Sequence, residues 1–231
     1  MKKFISILTI LLAFSSQAQK IKFGAKVGLN ATKGILEGYS INNNRNYDID
    51  TELDYGYLIG GTVNIELSDK FSFNPELLYN LKSVKSNYID GKVSYSHYTI
   101  EKMKIKTSFL DIPLKINYKI TKNLNVHVGP ELSILLEGRS NSTSEDYYNG
   151  EIENVRDYNI KINEQLDKLN FNLGIGASYT ITKNIYASAN YTLGLNNQFK
   201  SKQVNEDTGQ EFEDQRVYKI NNLQFSMGYW F

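Results

Sequence analysis

Apolar and polar residues alternate along most of the chain beyond residue 20. Near the C-terminus, Leu223, Phe225, Met227, Tyr229 and Phe231 share one parity, and Gln224, Ser226, Gly228 and Trp230 share the other. Successive side chains of a strand point to opposite faces, so this stretch predicts a strand that is apolar on one side. The same period predicts strands over about residues 20–31, 53–67, 71–82, 106–120, 124–136, 168–181 and 185–196. The terminal strand makes eight. An apolar strand at a chain end would be an exposed edge unless it paired with the first strand and closed a barrel.

The connections alternate in length. Three are minimal and share one frame: Leu67-Ser68-Asp69-Lys70-Phe71, Ile120-Thr121-Lys122-Asn123-Leu124 and Ile181-Thr182-Lys183-Asn184-Ile185. This is an internal hairpin repeat with turn-forming residues at its tip. The others, 32–52, 83–105, 137–167 and 197–218, are too long for a compact soluble domain. Short turns at one end and long loops at the other are the layout of outer-membrane barrels, periplasmic and extracellular respectively. Asp90-Gly91, Asn149-Gly150 and Thr208-Gly209 are turn signals inside the long loops. Strands seven and eight are evenly spaced about Thr208-Gly209, which predicts a projecting ribbon there. Strands three and four are lopsided about Asp90-Gly91, which calls for a bulge. Pro75, Pro113 and Pro130 fall inside strands, and each should cost a ladder bond or force a bulge.

The polar parity decides which face points outward. On strands six and seven it reads Lys168, Asn170, Asn172, Gly174, Gly176, Ser178, Thr180, then Tyr186, Ser188, Asn190, Thr192, Gly194, with one charge among these twelve. A soluble surface would be roughly 25–35% charged. Small amides, hydroxyls and glycines suit a crowded interior, including the Gly24–Gly28 and Gly56–Gly60 pairs. The apolar face then meets lipid, with Phe71, Tyr118, Tyr179, Tyr229 and Phe231 as one aromatic girdle and Tyr55, Tyr57, Tyr79 and Tyr191 as the other. The fold class is therefore all-β: an eight-stranded antiparallel up-and-down transmembrane β-barrel with short periplasmic turns and long extracellular loops. Only helices and closed barrels span hydrocarbon, and no segment after the N-terminus could be a spanning helix.

Composition adds an address. Met1-Lys2-Lys3, an apolar run from Phe4 to Phe14 and the small-x-small Ser16-Gln17-Ala18 read as a signal peptide over 1–18, leaving 19–231 as the barrel. Eleven apolar residues are too few for a span, which takes about 20. Without Lys2 and Lys3 the chain carries a net charge of −1. That argues against nucleic acid as a partner. There is no cysteine, hence no disulfide, thiol chemistry or lipid-anchor cysteine.

The candidate chemistry sits inside the barrel. Lys22, Lys26, Asp54, Glu66, Glu76, Asp111, Lys115, His127 and Glu131 share the inward parity with Lys119. Buried charges must pair, and an eight-stranded interior is just wide enough for side chains to fill. A polar network plugging the lumen is expected. His97 and His127 should lie far apart, so no metal site is expected, and no cofactor. A hydrolase acting on lipid A would use His127 as base, Glu131 to orient it and Ser133 as nucleophile. Residues two apart on a strand are nearly 7 Å apart, and a satisfied interior histidine is the stronger reading. The acidic loop 137–167 carries Tyr147, Tyr148 and Tyr158, residue types suited to protein contact. Partners expected are outer-membrane lipid and lipopolysaccharide, whose phosphates acidic loops could bind through divalent cations, and an extracellular protein or surface.

Ser108-Phe109-Leu110-Asp111-Ile112-Pro113-Leu114, Val128-Gly129-Pro130-Glu131-Leu132, Asn190-Tyr191-Thr192-Leu193-Gly194-Leu195 and the terminal Met227-Gly228-Tyr229-Trp230-Phe231 resemble the porin-like outer-membrane β-barrel family (PorT-type). The resemblance covers nearly all of the chain after the leader. It implies an eight-stranded barrel in the outer membrane of a Gram-negative cell, and it makes the prolines family features. Tyr229 and Phe231 resemble the terminal signal read by the barrel-assembly machinery. The family has no shared catalytic site. The expected role is non-enzymatic: structural, adhesive or partner-binding through the loops. A small pore is the first alternative and the lipid-A-modifying hydrolase the second.

Overall fold

The computed structural model describes residues 21–40, 45–94, 97–204, 211–213 and 215–231. The leader expected over 1–18 and the turn expected at Thr208-Gly209 lie outside the described residues. The strands are β1 (Ile21–Ser40), β2 (Arg45–Ile49), β3 (Thr51–Glu66), β4 (Phe71–Ser94), β5 (His97–Lys119), β6 (Leu124–Tyr148), β7 (Glu151–Lys161), β8 (Leu169–Thr180), β9 (Ile185–Gly194), β10 (Lys202–Val204), β11 (Glu211–Glu213) and β12 (Val217–Trp230). Eight of them, β1, β3, β4, β5, β6, β8, β9 and β12, pair antiparallel with their neighbours in chain order. β12 returns to β1 from Gly24↔Trp230 to Glu37↔Val217 and closes the ring. The terminal aromatic is tied in: Phe231 N–H donates to the Phe23 carbonyl at 2.9 Å.

The wall has the polarity that the alternation requires. Outward residues such as Phe23, Leu29, Tyr55, Phe171, Ile175, Phe225 and Phe231 are exposed, while Lys26, Asn30, Glu76, Asn80, Asp111, Asn172 and Gln224 are buried. Both girdles form, with Phe71 against Tyr118 at 5.2 Å between ring centroids and Tyr57 against Tyr79 at 6.1 Å. The three short hairpins repeat in detail. Ser68, Thr121 and Thr182 each accept, on the side-chain oxygen, the N–H three residues on, at 3.1, 3.0 and 3.1 Å.

The prolines break ladders without shifting register. Pairing of β4 with β5 stops at Pro75↔Leu114 and resumes in register at Leu78↔Asp111. Pairing of β5 with β6 stops at Pro113↔Glu131 and resumes at Ile116↔Val128, leaving Pro130 in the gap. Where Pro75 offers no N–H toward β3, the Asn74 side-chain amide donates to the Val63 carbonyl instead. The cost is a missing bond, not a bulge. The bulges lie elsewhere, between Leu53 and Tyr57 of β3 and at Leu136 of β6.

Much of the long connections is strand, built around the turn signals expected inside them. β4 and β5 continue as a paired hairpin past Asp90, with the register shift expected near Asp90-Gly91. β6 runs to Tyr148 and turns through Asn149 (φ 49°) and Gly150 (φ 86°) into β7. Two successive positive φ values make this a type I′ hairpin turn. Among the described residues the longest projecting ribbon is β4–β5–β6–β7. The connection between the last two barrel strands carries, among the described residues, the three-residue pair β10–β11.

Candidate functional site

Two buried ionic triads fill the middle of the lumen. In the lower one Glu76 of β4 holds Lys26 of β1 at 3.1 Å and Lys115 of β5 at 2.8 Å. β3 lies between β1 and β4, and its residue opposite Lys26 is Gly60. Without a side chain there, Lys26 crosses to Glu76. The same device recurs where Asn30, opposite Gly56, donates to Asn80 Oδ1 at 2.7 Å. In the upper triad Lys82 holds Asp111 at 3.0 Å and Glu131 at 3.7 Å. Asn80 donates to Asp111 at 2.8 Å, and Asn172 and Ser133 donate to Glu131 at 3.2 and 3.4 Å. One triad carries an excess positive charge and the other an excess negative charge, so the stack is neutral. Taking such groups out of water is costly and is tolerated only with this degree of pairing.

Not every residue of the expected network joins the stack. Lys22 and Glu66 face each other at 3.9 Å at the short-turn mouth, both substantially exposed. That mouth is a polar cavity of about 220 Å³, with Lys115, His127 and Tyr186 among its walls. Asp54 is also apart. At the β3 bulge it is held by Ser83, Lys85 and Lys104 at 2.5, 3.1 and 2.7 Å, level with an apolar layer above the triads. Conversely, Lys82 was not expected, although it shares the parity of Glu76 and Asn80.

His127 Nε2 meets Asn190 Oδ1 across β8, while Ser133 is turned to Glu131. The base–nucleophile pair that a hydrolase needs is not assembled. His97 pairs through its backbone with Ser94 and Tyr148. Among the described residues no three His, Asp or Glu side chains group to hold a metal ion.

Above the triads the lumen is capped by an apolar cluster absent from the sequence reading. Leu36, Val84, Ile105, Phe109, Tyr218 and Ile220 of the wall meet Ile162, Leu166 and Phe199 from the connections after β7 and β9. Leu166 and Phe199 form an isolated antiparallel bridge, and Asp167 N–H donates to the Gln198 carbonyl at 2.7 Å. Gly138 admits the cap, since a Cβ there would lie 2.7 Å from Leu166 Cδ1. Lys82 sits 4.9 Å from the Phe109 ring centroid and joins the two layers.

The ribbon carries the tyrosines. Tyr147 stacks on Tyr98 at 4.9 Å and donates to Glu145 at 3.0 Å. Tyr148 and Tyr158 are exposed. Lys102 and Glu145 pair at 2.5 Å; this bond holds the Glu145 carboxyl below, and the Lys102 ammonium above, its usual range. Every residue of β7 is exposed, and among the described residues β7 pairs with β6 alone.

A family model described as "Outer membrane protein beta-barrel domain" matches residues 16–200. No curated protein is similar enough in sequence to match. Among solved structures, Ail, the attachment invasion locus protein of Yersinia pestis, in complex with the heparin analogue sucrose octasulfate, is 11% identical over 92% of this chain and 99% of its own, at a TM-score of 0.39. Neisserial surface protein A is 9% identical over 90% and 96%, at 0.38. The outer membrane protease OmpT of Escherichia coli is 11% identical over 94% and 100%, at 0.42. Likenesses this distant carry no role over to this chain. The ring of strands, its apolar exterior and the family match agree: the chain belongs to the outer-membrane protein β-barrel domain family and is an integral barrel of the Gram-negative outer membrane.

Proposed function

We propose that this protein is a non-enzymatic surface barrel that binds a partner through its extracellular ribbon, with a lumen that does not conduct. The observation that carries the reading is β7: eleven residues of edge strand, every one exposed, with Ile152, Val155, Tyr158 and Ile160 among them. An uncovered strand edge with apolar side chains is a hazard that proteins usually blunt, and it is also a template for strand addition by a partner. The Tyr98–Tyr147 stack and the ion pairs of β5 and β6 hold that edge in a fixed shape, which lowers the ordering cost of binding. The stacked triads and the apolar cap support the sealed lumen. The narrower PorT-type likeness fits this reading, and the barrel-assembly machinery is the partner that Tyr229 and Phe231 suit.

The test compares cells displaying the full chain with cells displaying a chain in which residues 140–160 are replaced by a two-residue turn. Attachment to an abiotic or cellular surface falls in the shortened chain if the ribbon is the binding element. Equal attachment refutes it. In planar bilayers the full chain gives no unitary steps; steady nanosiemens steps would favour the pore reading.

A further inference from the structure

Lys106, Arg139 and Lys161 stand in one row across three strands: the register pairs Lys106 of β5 with Arg139 of β6, and Arg139 with Lys161 of β7. Residues directly opposite in a ladder share a face, and adjacent strands lie about 4.8 Å apart. Their neighbours Ile105, Thr107, Gly138 and Ile162 are buried toward the lumen, so the row points outward. Lys106 and Lys161 are exposed. Arg139 binds Glu137 at 2.8 Å, and among the described residues neither lysine has an ion-pair partner. The next lysines up the ribbon differ. Lys104 and Lys85 share Asp54, and Lys102 holds Glu145.

Like charges directly opposite one another repel. Three cations with one carboxylate among them repel one another, and an anion lying over them relieves that repulsion. Their height says which anion. Below it on β6, Leu136 lies three residues from Arg139 and is 48% exposed, and Leu169 of β8, which pairs with Ile134, is 51% exposed; the two open the apolar belt. β8 has 12 residues; at about 3.3 Å per residue and a tilt of about 40° such a strand spans roughly 30 Å, the whole hydrocarbon band. The row thus lies three to five residues beyond the hydrocarbon along β6, within reach of the outer-leaflet headgroups for long side chains. Long cationic side chains reach that layer naturally.

We infer that Lys106, Arg139 and Lys161 form a phosphate-binding site for lipid A of the outer-leaflet lipopolysaccharide. The contact is direct and does not use a bridging divalent cation. Arg139 offers a fork for a phosphate beside the two point charges.

The full chain, refolded in detergent and checked by its heat-shifted gel band, is titrated with bisphosphorylated lipid A in EDTA, and bound lipid is counted by native mass spectrometry. Each cation removed weakens binding about fivefold, so K106Q/R139Q/K161Q loses well over tenfold. K122Q/K183Q, at the short turns, leaves affinity unchanged. Dephosphorylated lipid A binds the wild type and the triple variant equally. The edge variant Lys161→Glu gives the same direction should the triple variant fail to refold. Equal affinity of wild type and variants for bisphosphorylated lipid A overturns the site. So does wild-type binding that disappears in EDTA, which would mean that acidic residues hold the phosphate through a divalent ion.

Discussion

The Tyr186 ring occupies the space that a side chain at Gly228 would need. The two are register partners on β9 and β12, and a Cβ on Gly228 would lie 2.2 Å from the ring. Tyr186 in turn stacks on Trp230 at 4.9 Å. A large inward residue is thus fitted against a missing one at the strand pair next to the seam.

Gly228→Val therefore lowers stability by about 1–3 kcal/mol through overpacking. Urea unfolding in detergent, followed by the fluorescence of Trp230, the only tryptophan, measures it. Adding Tyr186→Ala should recover part of the loss. No recovery in the double variant would mean that the two positions do not share one space.

Glu76→Gln leaves Lys26 and Lys115 as buried cations without their shared carboxylate. Removing one partner of a buried ionic group typically costs about 3–5 kcal/mol. The double variant Lys26→Met/Glu76→Gln should lose less than the sum of the two singles. Strict additivity in the same urea experiment would contradict a coupled triad.

Leu166→Ala loosens the cap but leaves the barrel. Burial of Leu166 is nearly complete, and its wall partners are held by strand ladders that do not depend on it. Amides of residues 162–168 should exchange faster with deuterium while those of β8 and β12 do not. Planar-bilayer recordings should stay silent, because both triads still fill the lumen below. Steps of conductance in this variant would show that the cap alone seals it.

The ribbon should be most firmly held between mildly acidic and moderately alkaline pH. Glu145 has its pKa lowered, first by the Lys102 hydrogen bond and then by that of Tyr147. Its contribution is present above the unfolded carboxyl pKa and is lost as pH falls through the lowered one. Lys102 has its pKa raised, chiefly by the Glu145 bond. Its contribution is full below the unfolded ammonium pKa and is lost as pH rises through the raised value. Lys102 is exposed and Glu145 partly so, and salt should therefore weaken the effect. The near-ultraviolet signal of the stacked Tyr98–Tyr147 pair reports it. A flat signal across both limits, at low and high salt alike, would count against this pair.

The alternation of apolar and polar residues was enough to determine the barrel, because a strand in lipid has a single option for each parity. Leu, Phe and Tyr must meet acyl chains, and amides and charges must meet one another inside. The same rule supplied the inward charges Lys26, Glu76, Asp111, Lys115 and Glu131, and the repeated Ser/Thr turns fixed the short end. The signal weakens above the membrane. There both faces of a strand touch water, so β6 and β7 between residues 139 and 161 show no two-faced pattern and read as loop.

Pairing itself was decided only in three dimensions. Lys26 and Glu76 are fifty residues apart and separated by a whole strand. They meet because the stagger of the closed ring sets Gly60 between them. Ile162, Leu166 and Phe199 belong to connections, where periodicity gives no direction, and only the narrowness of the ring made them a cap. The row Lys106–Arg139–Lys161 is likewise invisible along the chain, since cross-strand register brings the three cations side by side. The sequence by itself determined which residues face lipid and which face inward. The tertiary structure decided which of the inward residues touch, because shear and register are properties of the closed sheet and not of any strand in it.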